Sequence, residues 1–149
     1  MLHNIFIILL KSKIFFPVFF AWFTAQLLKV IIYAVINKRF NFKLLLGSGG
    51  MPSSHSATVM ALTTAVGRTQ GWEDPLWVIT LAFALITMTD AVGVRRAAGQ
   101  QAKVLNKMLD EFWTEGKIGE TRLRELLGHT PVEVIVGALL GIGIAIIGT

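Results

Sequence analysis

Between Ile14 and Ile36 the chain runs through a long apolar stretch with one charged residue, Lys29. At 1.5 Å per residue a helix over this stretch is long enough for the ~30 Å hydrocarbon core of a bilayer. Pro17 falls in its first turn, where proline is tolerated. Two further apolar stretches, Leu76–Val94 and Pro131–Ile147, have similar length. A fourth, Ser56–Gly67, is shorter and rich in Ala and Thr, which suits close packing inside a bundle better than contact with lipid. Composition agrees: 54% of the 149 residues are hydrophobic and only 15% are charged, against about 25% charged in soluble domains. The absence of cysteine excludes disulfide and thiolate chemistry. The expectation is one membrane-embedded domain, residues 1–149. It is an all-α integral membrane bundle of about four transmembrane helices with cytoplasmic amphipathic helices attached.

The remaining segments fit around these spans. Ile5–Leu10 is too short to cross and reads as an interfacial lead-in. In 97–127, Ala102, Leu105, Leu109 and Phe112 recur at helical spacing among polar residues, as in an amphipathic helix on the membrane or the bundle end. Glu115–Gly119 interrupts that pattern, and Thr121–Leu127 reads as a second short helix stopped by Gly128. Trp72 and Trp77 mark an interface. Four spans place both termini on one side. Lys11, Lys13 and Arg68 fall on that side, and ten other Lys and Arg fall opposite, among them Lys38, Arg39, Lys43 and Lys103. The positive-inside rule assigns the ten to the cytoplasm. The net charge of +5 therefore reflects cytoplasmic loops and lipid headgroups, not nucleic acid.

The chemistry-bearing residues collect at this predicted cytoplasmic end. Gly47-Ser48-Gly49-Gly50-Met51-Pro52-Ser53-Ser54-His55-Ser56 joins a glycine-rich turn to a helix start. Pro52 pre-sets the start of the helix. Ser53, Ser54 or Ser56 can cap it, and the free N–H groups and dipole of its first turn suit an oxyanion. An ordinary loop and cap is the alternative reading. Lys29 shares a face with Gln26 and Tyr33. A lysine inside a span is costly, so a buried role is expected in preference to snorkelling. Asp90 precedes the pair Arg95-Arg96, which is either a membrane anchor or a phosphate clamp. His129-Thr130-Pro131-Val132-Glu133 opens the last span. There Thr130 and Glu133 fit a capping box with Pro131 at the first helical position, and Glu133 can also orient His129.

Two histidines, two helix N-termini, basic groups and carboxylates thus border one cavity, with no serine or cysteine placed as an activated nucleophile. Histidine can itself be a nucleophile, and a second histidine can protonate a leaving oxygen. Phosphoryl transfer asks mainly for positioning and charge neutralisation. Phosphate-ester hydrolysis is chemically accessible here without metal or cofactor. A non-enzymatic lipid-phosphate binder or transporter uses the same site, although four short spans offer little for alternating access unless the protein forms a homodimer. A zinc or manganese site of His55, His129, Asp90 and Glu133 matches no known ligand spacing.

Pro52-Ser53-Ser54-His55 resembles the Pro-Ser-Gly-His motif of the type 2 phosphatidic acid phosphatase superfamily, which includes the vanadium haloperoxidases. His129 with Glu133 resembles its His-x3-Asp. The runs GGMPSSHSA, DAVGVRRAAGQQAKVLN and LLGHTPVEV, in this order, resemble a small divergent membrane branch of that superfamily. The resemblance implies that His129 attacks phosphorus to form a phosphohistidine, with Glu133 holding its imidazole. His55 is then the general acid, and Ser53 and the Ser54 N–H bind phosphate oxygens. Gly50 and Asp90 are supporting candidates. The chain departs from the pattern in four places. Glu133 replaces its aspartate. Lys-x6-Arg-Pro is absent, leaving Lys29 as the lysine. Ser54 replaces a glycine. Leu123 stands where the family has arginine, so Arg95 or Arg96 fills that role from across 97–127. The implied substrate is a membrane lipid or prenyl phosphate at the cytoplasmic leaflet of the cell membrane.

Overall fold

The computed structural model describes residues 12–41, 50–112 and 128–149. The expected lead-in at Ile5–Leu10, the break at Glu115–Gly119, the helix at Thr121–Leu127 and the turn residues Gly47–Gly49 lie outside them. Five helices make up the described chain: α1 Phe15–Asn37, α2 Ser54–Gln70, α3 Pro75–Val92, α4 Val94–Phe112 and α5 Pro131–Gly148.

Bulk is arranged inside out. The core is alanine: Ala21 and Ala25 of α1, Ala57, Ala61 and Ala65 of α2, and Ala145 of α5, all fully buried. Phe15, Phe19, Trp22, Phe23, Ile79, Phe83, Ile86 and Leu139 point outward. In water this arrangement would be strongly unfavourable; in lipid the large side chains meet hydrocarbon and the small ones let helix backbones approach. Close approach is greatest between α2 and α5. A Cβ on Gly137 would collide with the Ser53 carbonyl oxygen, and one on Gly141 with that of Ala57.

α2 is the axis of the bundle and touches α1, α3 and α5. Among the described residues, three stretches are long and apolar enough to cross a membrane: α1, the segment Pro75–Leu109 that contains α3, and α5. α2 is the most buried helix and the least apolar of the four that pack together, because its Ser and Thr residues meet protein instead of lipid. It extends from Ser54 to Gln70, beginning two residues before the Ser56 expected and running on toward Gly71.

Contacts fix the directions. Lys29, late in α1, bonds Ser54 at the start of α2. Thr63, late in α2, bonds the Thr80 carbonyl early in α3. Pro17 packs on Gly148, and Arg68 donates to Thr149 at 2.7 Å. One end of the bundle therefore gathers the end of α1, the starts of α2 and α5 and the end of α3. The far end gathers residues near 15, 70, 75 and 149. Both described chain ends lie at the far end, as the even number of passes requires.

Local signals set the boundaries. Asp74 caps α3 by accepting from the Leu76 N–H at 2.7 Å, with Pro75 at the first helical position. Gly93 then separates α3 from α4. α4 is amphipathic as expected: Ala102 is buried together with Gly99 and Asn106, and Leu105 is exposed. Small residues again take the contact and larger ones face out.

Candidate active site

The N-termini of α2 and α5 open side by side at one end of the bundle, since the two helices run parallel along the Gly137–Gly141 contact. Ser53 is the cap of α2. Its Oγ accepts from the Ser56 N–H at 3.3 Å and from the Ser56 hydroxyl at 3.0 Å, and its own N–H donates to the Glu133 carbonyl at 3.0 Å. Thr130 caps α5 in the expected capping box: its Oγ1 accepts from the Glu133 N–H at 3.3 Å, and Glu133 Oε2 accepts from the Thr130 N–H at 2.9 Å. Two positive dipole ends thus meet at one place, each with first-turn N–H groups lacking intrahelical partners.

His129 sits between them. It is 4% exposed, its N–H donates to the Ala91 carbonyl at 2.9 Å, and its Nδ1 lies 3.2 Å from Glu133 Oε2. A carboxylate only accepts, so Nδ1 carries the proton and Nε2 keeps its lone pair. Burial holds the His129 imidazolium below the ordinary histidine value of 6.5. The Glu133 hydrogen bond and charge pull it partway back, while Lys29 and Arg95 push it down again. The ring is neutral at pH 7 with a free, oriented nitrogen. The His55 ring stands 6.4 Å away, centroid to centroid, tilted by 60°, and is exposed at the mouth of the site.

Cationic groups ring this pair. Lys29 is 3% exposed inside the bundle, with Nζ 3.1 Å from Ser54 Oγ, so its role is a buried one. Its charge reaches both His129 and Glu133. Arg95 pairs with Asp90 at 2.5 Å on a partly exposed edge, and its charge acts on both imidazoles. A surface pair of this kind contributes little to stability, but it holds the guanidinium at the site. Gly128 explains how Arg95-Arg96 comes to lie beside His129 despite the distance in sequence. Its φ is 85°, and a Cβ there would strike the Arg96 backbone nitrogen, so α4 begins directly under the residue preceding His129.

His55, His129, Glu133, Lys29, Ser53, Ser54, Arg95 and Asp90 are therefore gathered at one end of the bundle. Arg96 contributes its backbone against Gly128, and its side chain is exposed. Gly50, with φ of 80°, lies on the open approach. Ser53 is completely buried with its hydroxyl engaged in the α2 cap, and Pro52 precedes that cap instead of occupying the first helical turn. The Ser54 hydroxyl accepts from Lys29 Nζ at 3.1 Å. The sequence offered Ser54 as a cap or a backbone donor and did not show this pairing, because two positions separated in sequence reveal no pairing without the fold. Among the described residues no three His, Asp or Glu side chains are grouped as metal ligands.

Comparison with known proteins places the chain in a family. The chain is 43% identical over 129 residues to the uncharacterized membrane protein YuiD of Bacillus subtilis (strain 168), covering 79% of this chain and 82% of that one. No solved structure matches at a significant level. Residues 10–144 match the divergent PAP2 family, and the chain, with its paired histidines over two helix N-termini, belongs to that family.

Proposed function

We propose that this protein is a metal-independent phosphatase of a lipid or prenyl phosphate, monoester or diphosphate, working through a phosphohistidine at the cytoplasmic leaflet. The observation that carries the reading is the buried His129–Glu133 pair, with its Nε2 free and His55 facing it across 6.4 Å. With the two rings this near, a phosphoryl group between them has a nucleophile on one side and a proton donor on the other. His129 Nε2 attacks phosphorus as the bond to the leaving oxygen breaks. Protonated His55 gives its proton to that oxygen. Glu133 stabilises the imidazole as its ring gains positive charge. Water then attacks the phosphohistidine, His55 takes the water proton, and inorganic phosphate leaves. Lys29, Arg95 and the first turns of α2 and α5 supply the charge neutralisation that phosphoryl transfer needs.

Phosphate release by the purified protein, in detergent with EDTA, from a panel of lipid and prenyl phosphates and diphosphates tests the reading. Turnover together with an acid-labile phosphoenzyme is the expected result. Binding of those lipids without turnover, accompanied by their movement across liposome bilayers, would replace it with the transporter reading.

A further inference from the structure

Ser54 opens α2 at the position where the family motif carries glycine, and it is 4% exposed there. Its Oγ accepts from Lys29 Nζ at 3.1 Å. Lys29 is also buried, and an ammonium has three N–H groups and no lone pair. Ser54 therefore cannot return a proton to Lys29. The hydroxyls of Ser56 and Thr58 give theirs to Ser53 Oγ at 3.0 Å and to the Ser54 carbonyl at 2.7 Å. The Ser54 proton and the other two N–H groups of Lys29 have no acceptor among the described residues. A buried donor without an acceptor is costly, so these three at one place mark where an acceptor belongs.

That place belongs to the end of the bundle that holds the histidines. Ser53, the preceding residue, donates its N–H to the Glu133 carbonyl at 3.0 Å, and the Lys29 charge reaches the His129 imidazole. The Ser54 N–H lies in the first turn of α2 and has no intrahelical partner, so a second donor comes from the same residue. An acceptor suited to several such donors beside two helix N-termini is an oxyanion. We infer that the Ser54 hydroxyl donates to an oxygen of the bound phosphate while it accepts from Lys29, so that the buried ammonium acts on the anion through the serine. The inference rests on the phosphate reading of the site and adds a contact that glycine at this position has no means to make. Accepting from a cation polarises the hydroxyl and strengthens the bond it gives. The serine thereby extends to the phosphate the charge of a lysine rooted inside a membrane span.

The test is binding of dodecylphosphonate, whose carbon–phosphorus bond is not hydrolysed, to the purified protein in detergent, with dodecanol as the control for chain contacts. Ser54→Ala should weaken phosphonate binding about 10–100-fold, the range of a hydrogen bond to a charged group. In the Lys29→Met background Ser54→Ala should still weaken binding, but by less than in the wild-type background, because the hydroxyl keeps its proton and loses the cation that polarises it. This background also serves if Ser54→Ala alone does not fold for want of a partner to Lys29, since removing both partners together avoids that cost. Unchanged binding in Ser54→Ala overturns the assignment. So does the absence of any effect of Ser54→Ala once Lys29 is methionine, which would make the serine a holder of the lysine and nothing more. Phosphonate binding that follows the expected pattern in a protein that releases no phosphate from dodecyl phosphate supports the serine contact and removes hydrolysis.

Discussion

The Glu133 carboxylate does two jobs with one oxygen: Oε2 accepts from the Thr130 N–H of the helix cap and sits against His129 Nδ1. The two are separable by substitution. Glu133→Gln should retain the cap, since glutamine also serves in a capping box, and thermal stability should change little. Its phosphatase activity should drop at least tenfold, because an amide stabilises imidazolium poorly; wild-type turnover in this variant would reduce Glu133 to a cap. The pH profile carries the sign of the same interaction. Burial lowers the His129 value below 6.5 and Glu133 partly restores it. The nucleophile is competent when neutral, so the acid limb of kcat/KM should fall below pH 6.5, and in Glu133→Gln it should move further acid. His129→Ala should abolish the trapped phosphoenzyme. His55→Ala should still form it from an aryl phosphate, whose leaving group needs no proton, while losing about 10²–10⁴-fold with an alkyl phosphate.

Among the helices, α2 and α5 carry the site because their first turns coincide, and that coincidence depends on glycine. Gly137→Ala and Gly141→Ala each drive a Cβ into a carbonyl oxygen of α2. Overpacking of this kind costs about 1–3 kcal/mol, here by prising apart the two N-termini. Thermal melting in detergent should register the loss, and activity should fall with it even though neither glycine touches the site. Thr130→Ala removes only a cap, a loss of about 1 kcal/mol, and should be the milder variant. Lys29→Met, which keeps the buried stem and removes the charge, should leave folding intact and weaken phosphate-dependent binding. The α1 face holding Lys29 was readable from spacing. Its partner Ser54 was not, because hydrogen bonds between helices leave no periodic trace.

For the molecule as a whole, the bundle fixes one relation: the site lies at the end opposite Phe15 and Thr149. On the excess of Lys and Arg in the segments joined to the site end, we propose that this end is cytoplasmic. Cysteines introduced at Lys103 and Thr149, one exposed on α4 and one at the far end, should react with an impermeant maleimide from opposite sides of intact cells. Labelling of both from outside would overturn the cytoplasmic placement of the site.

Apolar length and low charge determined that the chain is a helical membrane bundle, because hydrocarbon leaves a backbone no partners except its own. Caps at Asp74 and Thr130 and the paired histidines were equally local, fixed by neighbours within a few residues. Leu105 shows where this kind of reading stops. Its helical spacing put it with Ala102 on a face against the membrane or the bundle end and did not choose between them; Ala102 packs and Leu105 does not, because hydrophobicity cannot mark the buried face of a helix whose surroundings are themselves apolar. Only tertiary structure decided which small residues meet, and through Gly128, Gly137 and Gly141 it brought Arg95, Lys29, His55 and His129 to one place: close approach depends on where backbones cross, a property of pairs of helices and not of any one stretch.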